Sequence, residues 1–191
     1  MGFISILSFA HKLIEERVKP GETVVDATAG GGVDTAFLAR LVGPAGVVHA
    51  FDIQQQALDR TASRLEQECP GRGDVRLHLR SHEGMLEIIP EENHGRIGAV
   101  MFNLGYLPGA DHETVTAPAS TLTALEASAQ LIRRGGIITI VLYTGHRGGQ
   151  EEAAEVERWA AALPQKHFQT LHYRFMNQIN HPPYLIAIEK R

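Results

Sequence analysis

Short apolar segments alternate with helical patterns along the chain, and this alternation limits the fold more than any other feature of the sequence. The strands predicted before the last quarter of the chain are 23–28, 46–53, 75–79, 97–104 and 137–143. Apolar residues at helical spacing precede the first strand and separate most of the others. Strands separated by helices are typical of parallel sheets with right-handed crossovers and helices on both faces.

The end of the chain departs from this alternation. Two further strands are predicted near 167–176 and 184–189, and the connection at 177–183 is too short for a parallel crossover, so these strands should pair antiparallel. A helix over 5–18 opens the chain and is expected to pack on the sheet. We therefore predict one α/β domain, 1–191, with a Rossmann-like doubly wound sheet of five parallel strands and a C-terminal antiparallel hairpin.

Composition and charge exclude several classes of protein. With 43% hydrophobic and 21% charged residues, the chain is globular rather than disordered or fibrous. Its formal net charge of −4 argues against nucleic-acid binding through bulk positive charge and leaves open an RNA substrate held by a local basic patch. The single cysteine, Cys69, excludes intrachain disulfides and cysteine-rich zinc sites.

The sequence also lacks the patterns of a metal site, a membrane span and a signal peptide. The histidines do not show ligand spacing, so no metal is expected. No apolar run is long enough for a membrane span. The start of the chain has no signal-peptide pattern, which predicts a cytoplasmic protein without a membrane partner.

A glycine run follows the first strand and precedes a helix, the context in which such a turn binds a nucleotide. A dinucleotide site has glycines at relative positions one, three and six; Gly30 and Gly32 fit, but Thr35 stands in the sixth place. Asp26 and Asp34 flank the turn, where carboxylates compete with a phosphate for the positive end of the helix. S-adenosylmethionine carries a sulfonium and an α-amino group and no phosphate, so the acidic turn favours this cofactor. A dinucleotide site and a turn without a ligand are the alternatives.

The ends of the next two strands carry residues suited to an adenosine. Asp52 follows Gly32 by 20 residues and can accept hydrogen bonds from both ribose hydroxyls, although an aspartate there also suits a helix N-cap. Ser81 and His82 follow the end of the third strand, where an adenine edge would lie in this topology; an ordinary capping role is the alternative for His82. NAD shares the ribose, so Asp52 indicates a nucleoside without identifying it.

Asn103 lies at the tip of the fourth strand, and Gly105 and Tyr106 begin the loop that follows. Ligands lie at the carboxyl ends of the strands in doubly wound sheets, so this loop should face the cofactor. The Asn103 side-chain carbonyl and the backbone carbonyls of 104 and 105 are acceptors, and Tyr106 offers a flat apolar wall. Such acceptors take the hydrogens of an amine while its lone pair points at a methyl group, so Asn103 and Tyr106 are the predicted catalytic residues. A plain turn at the strand exit is the alternative.

Two later segments are predicted to be walls of a substrate site. Tyr143 ends the fifth predicted strand, His146 and Arg147 follow it, and the hairpin turn carries Asn180 and His181. The two histidines and Arg147 have the chemistry to hold a phosphate or another polar group, and the alternative for each is a solvated loop residue. A cationic face for RNA is expected from four arginines: Arg133, Arg134, Arg147 and Arg174.

Taken together, these motifs resemble, over essentially the full length of the chain, the small bacterial class I methyltransferases called rRNA methylases (YtqB-like). The residues that carry the resemblance are Asp26-Ala27-Thr28, Gly30, Gly32, Asp34-Thr35, Asp52-Ile53-Gln54, Ser81-His82, 103–109, 143–149, Glu151-Glu152 and 180–183. The family usually has Asn and His where this chain has Gly31 and Val33. Cofactor contacts through those two side chains therefore do not carry over, whereas the backbone turn does.

The resemblance implies the class I methyltransferase fold, S-adenosylmethionine as cofactor and tRNA as substrate. Members of the family are assigned as the tRNA methyltransferase that N-methylates the aminomethyl group of 5-aminomethyl-2-thiouridine at the wobble position, so the anticodon stem-loop is the expected partner. The predicted cofactor contacts are Asp26, Thr28, Gly30, Gly32, Asp34, Thr35, Asp52, Gln54, Ser81, His82, Asn103 and Gly105. The predicted substrate contacts are Tyr106, Tyr143, His146, Arg147, Asn180 and His181.

Two other functions stay open at this point. One is a methyltransferase with the same cofactor that acts on rRNA or on a small-molecule amine, which the acidic net charge favours slightly. The other is a nucleotide-binding domain without catalysis. The sequence also leaves open whether the chain forms a homodimer.

Overall fold

A seven-stranded sheet forms the centre of the described structure, a computed structural model that covers residues 2–105, 116–146 and 148–191. The strands are β1 (Thr23–Asp26), β2 (Val47–Asp52), β3 (Asp74–Leu79), β4 (Ile97–Leu104), β5 (Ile132–Leu142), β6 (Phe168–Tyr173) and β7 (Tyr184–Lys190). In space they follow the order β3-β2-β1-β4-β5-β7-β6. The pairs from β3 to β5 are parallel, whereas β7 is antiparallel to both β5 and β6.

Helices cover both faces of the sheet. They are α1 (Ile6–Glu15), α2 (Val33–Val42), α3 (Gln55–Glu68), α4 (Met85–Ile88), α5 (Pro118–Leu131) and α6 (Gly149–Ala162). Single turns of 3₁₀ helix lie at His82–Gly84 and Glu91–Asn93. The first helix begins after Ser5, whose hydroxyl accepts the Ser8 N–H at 3.2 Å and so satisfies one of the unpaired donors of the first turn. In the part of the chain that the structure describes, no helix has the length and apolar character needed to cross a bilayer.

The core consists of one apolar layer on each face of the sheet. Helices α1, α2 and α3 bury Ile14, Leu38 and Leu65 on one face. Helices α4, α5 and α6 bury side chains such as Leu125 on the other. Strand β4, in the middle of the sheet, is buried along its whole length except at Asn103, which is half-buried. The packed core therefore opens where β4 ends.

The predicted fold is confirmed, including the five parallel strands and the antiparallel C-terminal hairpin. Two details differ. Strand β5 begins at Ile132 rather than Ile137: Ile132 pairs with Ile97, and the ladder resumes with Ile137 opposite Ala99. The intervening glycines therefore form an irregularity inside the strand instead of a turn before it. Helix α4 is absent from the sequence prediction because four residues are too few to show a helical period.

Candidate active site

A cavity of about 730 Å³ opens at the carboxyl ends of β1, β2 and β4. The strand order reverses at this point, because β2 lies on one side of β1 and β4 on the other, and doubly wound sheets bind ligands at such a reversal. The volume is typical of small-molecule sites. The predicted site residues that line the cavity are Thr28, Gly30, Asp34, Asp52, Gln54, Ser81, His82, Asn103, Gly105 and Tyr143.

Close backbone contacts fix the glycine turn after β1. Gly32 has a φ of +77°, and a Cβ at this position would lie 2.7 Å from the Thr61 Cα on α3. The Thr61 hydroxyl donates to the Gly30 carbonyl at 3.3 Å, and Arg64 Nε donates to the Gly31 carbonyl at 2.7 Å. A Cβ on Gly31 would meet no atom within 4 Å. The turn therefore requires glycine at position 32 and leaves position 31 open to larger side chains.

Asp26 lies behind the glycine turn and does not line the cavity. Its buried carboxylate accepts hydrogen bonds from the Thr35 hydroxyl at 2.6 Å and from the Thr28 N–H at 3.1 Å. Burial, and after it the neighbouring Asp34 carboxylate, raise the pKa of Asp26 to about 7. Thr35 and Gly32 also stand behind the cavity wall. Direct cofactor contacts of Asp26, Gly32 and Thr35 stay predictions, and the structure places all three in support of the turn.

The Asp52 carboxylate is held in one orientation at the cavity wall. Its Oδ2 accepts the Gly30 N–H at 2.9 Å, and its Oδ1 accepts the Gln54 N–H at 2.9 Å. The first of these hydrogen bonds ties the end of β2 to the glycine turn. Each carboxylate oxygen has further lone-pair capacity, so Asp52 can accept two more donors that approach from the cavity.

His82 presents a hydrogen-bond acceptor at another part of the wall. Its Nδ1 lies 3.1 Å from the Ala27 carbonyl oxygen, which can only accept, so Nδ1 carries the proton. Burial lowers the pKa of His82, which keeps the ring neutral at pH 7. Its Nε2 is buried and has no hydrogen-bond partner among the described residues. An amino group on a bound ligand would satisfy this nitrogen.

Asn103 stands at the end of β4 with its side chain fixed on one side only. Its backbone N–H donates to the Thr28 hydroxyl at 2.7 Å, which ties β4 to β1. Its Nδ2 donates to Asp34 Oδ2, and Asp34 Oδ1 lies 2.6 Å from His11 Nε2. The Asn103 Oδ1 is buried and has no hydrogen-bond partner in the described part of the chain. Asn103 thus brings an unsatisfied side-chain acceptor to the cavity wall, at the residue predicted to hold the methyl-accepting group.

Several lining residues come from segments that the sequence argument does not single out: Leu7, Arg60, Arg80, Thr116 and Ser120. Arg60 and Arg80 are exposed, and no carboxylate of the described chain pairs with either of them. Neither arginine belongs to a recognisable sequence motif. Each reaches the cavity only because the order of the strands brings its segment there. His11, which reaches the site through Asp34, gives no sequence signal for the same reason.

Thr116 closes the base of the segment that follows β4. Its N–H donates to the Gly105 carbonyl at 3.2 Å. Its hydroxyl and that of Thr121 each donate to the buried Glu152 carboxylate at 2.6 Å. The two ends of the segment are therefore joined to each other and anchored on α6.

Of the remaining predicted substrate contacts, the described ones, His146, Asn180 and His181, do not line the cavity. Tyr106 and Arg147 lie outside the described residues. His146 is half-buried after β5. Asn180 and His181 are exposed in the connection between β6 and β7, with φ values of 66° and 48°. Their roles stay predictions.

The predicted cationic face is wrong for Arg133 and Arg134. Both lie at the start of β5, at the sheet edge opposite the cavity, because the first residues of a strand occupy its amino end. Arg133 Nε donates to a Glu22 carboxylate oxygen at 2.7 Å, so this guanidinium has a structural partner. Arg174 follows β6, whose end lies at the same edge as the end of β5, and its guanidinium stands 5.3 Å from the centre of the Tyr184 ring.

Comparison with known proteins identifies the family. The model of a protein family described as "Putative rRNA methylase" matches residues 48–189. A structure from Clostridium thermocellum, described as a "putative rRNA-methylase", is 42% identical with a TM-score of 0.93, and both chains are covered completely. A methyltransferase from Streptococcus mutans, solved in complex with SAH, is 36% identical with a TM-score of 0.88 and equally complete coverage.

A curated plant protein also matches. The tRNA (mnm(5)s(2)U34)-methyltransferase of Arabidopsis thaliana chloroplasts is 38% identical over 176 residues, which are 88% of this chain. The chain spans 64% of the length of that relative. The family match covers well over half of the sequence, and the fold agrees over whole chains. This chain belongs to the rRNA methylase family of methyltransferases, as its motifs predict.

Proposed function

We propose that this protein is an S-adenosylmethionine-dependent N-methyltransferase that methylates the aminomethyl group of 5-aminomethyl-2-thiouridine at the wobble position of tRNA. The observation that carries the proposal is the buried, unsatisfied Oδ1 of Asn103 at the cavity wall. The family match and two relatives support it: the Streptococcus mutans protein in complex with SAH and the Arabidopsis thaliana protein named for mnm(5)s(2)U34.

The side chains that line the cavity have the chemistry needed to bind S-adenosylmethionine. Asp52 can accept hydrogen bonds from both ribose hydroxyls, because backbone N–H groups already hold its carboxylate in place. His82 Nε2 can accept a hydrogen bond from the amino group of adenine. Asp34 places a carboxylate beside the glycine turn at the cavity wall, which suits a ligand with a cationic sulfonium and α-amino group. When bound, S-adenosylmethionine supplies the methyl group.

Asn103 orients the amine that accepts the methyl group. Its Oδ1 accepts one N–H of a neutral primary amine, and this hydrogen bond sets the direction of the nitrogen lone pair. The Asn103 Nδ2 donates a hydrogen bond to the Asp34 carboxylate. Positive charge that develops on the nitrogen is therefore stabilised by a fixed amide dipole and a fixed carboxylate.

The outer part of the cavity suits a polyanionic substrate. Arg60 and Arg80 line it, are exposed, and are not paired with carboxylates of the described chain. Arg174 lies at the same edge of the sheet, beyond the end of β5. Phosphate groups of an RNA loop would satisfy these guanidinium groups despite the net charge of −4.

The test is methyl transfer by the purified protein to tRNA that carries 5-aminomethyl-2-thiouridine, with the nucleosides read by mass spectrometry. We expect 5-methylaminomethyl-2-thiouridine, and binding to tRNA that weakens as salt rises. Asn103→Ala should lower kcat by about a hundredfold or more, as loss of one preorganised polar group does in other enzymes. The Kd for S-adenosylhomocysteine, measured by calorimetry, should change little.

Two controls separate the alternatives. An rRNA fragment and the free aminomethyl nucleoside are assayed beside the tRNA. Methylation of either one at the tRNA rate would replace the proposed substrate with that acceptor. Equal loss of cofactor binding and turnover in Asn103→Ala would show that Asn103 does not act on the amine.

A further inference from the structure

His11 on α1 is joined to Asn103 through a single carboxylate. His11 Nε2 lies 2.6 Å from Asp34 Oδ1, and Asp34 Oδ2 accepts a hydrogen bond from Asn103 Nδ2. The side chain of His11 is 25% exposed and that of Asp34 10% exposed, so the contact is largely shielded from water. The His11 ring also stacks on Phe37, with centroids 3.9 Å apart and planes within 4° of parallel. Both the ring and its Nε2 are therefore held in place.

The chemistry of this chain of contacts fixes which atom of Asn103 faces the cavity. An ionised carboxylate only accepts hydrogen bonds, so the atom that Asn103 turns to Asp34 is the amide nitrogen. Rotation of the amide by 180° would bring its oxygen against a carboxylate oxygen and leave two acceptors without a donor. The same argument makes His11 Nε2 a donor. The carboxylate of Asp34 is thus held between two donors, one on each oxygen.

We propose that His11 is a positioning residue for methyl transfer: by holding Asp34, it keeps the Asn103 Oδ1 directed at the amine that accepts the methyl group. This inference rests on the role proposed above for Asn103. His11 itself does not line the cavity. Its effect therefore reaches the reaction only through Asp34 and Asn103.

The test compares two replacements of His11. His11→Phe keeps a flat ring for the stack on Phe37 and removes the donor, whereas His11→Gln places an amide N–H near the position of Nε2. We expect His11→Phe to lower kcat about tenfold, the cost of losing one hydrogen bond to a charged group, with the KM for S-adenosylmethionine within about twofold of the wild type. His11→Gln should restore most of kcat. Lys12→Gln, an exposed change on the same helix, is the matched control and should leave kcat unchanged.

A double-mutant cycle with Asn103→Ala decides whether the two residues act together. If His11 acts through Asn103, the double variant should be no slower than Asn103→Ala alone. If His11→Phe still costs tenfold in the Asn103→Ala background, the positioning role is wrong while the role of Asn103 stands. If Asn103→Ala alone loses no turnover, the role proposed for Asn103 is wrong, and the positioning role of His11 falls with it.

Thermal unfolding shows whether each variant folds. If His11→Phe does not fold, His11→Leu replaces it and removes the donor without an aromatic ring. An equal loss of turnover in His11→Gln and His11→Leu would overturn the inference, because the donor would then have no effect.

Discussion

Gly32→Ala should destabilise the protein, because the structure leaves no room for a side chain at this position. A left-handed φ of +77° costs a residue with a Cβ about 1–2 kcal/mol. The new Cβ would lie 2.7 Å from the Thr61 Cα, so the glycine turn or α3 must shift. Overpacking of this kind costs about 1–3 kcal/mol. We therefore expect the free energy of unfolding to fall by about 2–5 kcal/mol.

The assay is urea unfolding of the wild type, Gly32→Ala and Gly31→Ala. Gly31 is the matched control, since the chemical change is the same, its φ is not in the left-handed range and its Cβ would meet no atom within 4 Å. Gly31→Ala should keep or raise stability by up to about 1 kcal/mol. A shift of the turn also moves the Gly30 N–H away from Asp52, so Gly32→Ala should weaken S-adenosylhomocysteine binding as well.

Two results would refute this reasoning. One is a Gly32→Ala variant that unfolds within about 1 kcal/mol of the wild type, which is less than the backbone strain alone predicts. The other is an equal loss of stability in Gly31→Ala, which would show that the turn as a whole, rather than its contact with α3, limits the substitution.

Two further predictions concern the carboxylates around the turn. Asp52→Ala should raise the Kd for S-adenosylhomocysteine in calorimetry by about tenfold to a hundredfold, because the acceptor for the ribose hydroxyls is lost; an unchanged Kd would mean that the ribose lies elsewhere. The folded state holds the pKa of Asp26 at about 7, above the ordinary value of 3.8, so it binds more protons than the unfolded state between these pH values. Wild-type stability should therefore fall as pH rises from about 4 to 7, relative to Asp26→Asn, in thermal unfolding series of both proteins. A stability difference between the two proteins that stays constant over this range would contradict the raised pKa.

Much of the fold follows from local sequence patterns. Helices that separate apolar strands predict the parallel sheet, and the short connection at 177–183 predicts the antiparallel hairpin. The position of Asp52 at the cavity is predictable for a similar reason. It ends a strand, and the carboxyl ends of parallel strands meet at one edge of the sheet.

The rest depends on contacts between distant parts of the chain. His11 lies 23 residues before Asp34, and nothing in the pattern of α1 distinguishes a histidine that reaches the site from one on a solvated face. The partial error over Arg133 has a different origin. Arg133 belongs to the same strand that ends near the site, but it stands at the start of β5 and so lies at the opposite edge of the sheet.

The hydrogen bond between Thr116 and Gly105, together with the anchoring of Thr116 on Glu152, has a consequence for how this family can diversify. Gly105 and Thr116, the residues on either side of 106–115, are held together at one fixed point, so changes of sequence or length between them need not disturb the glycine turn or Asp52. On the function proposed above, a change of methyl acceptor then need not alter the residues predicted to bind the nucleoside. One scaffold could in this way serve different acceptors while its affinity for the methyl donor stays the same.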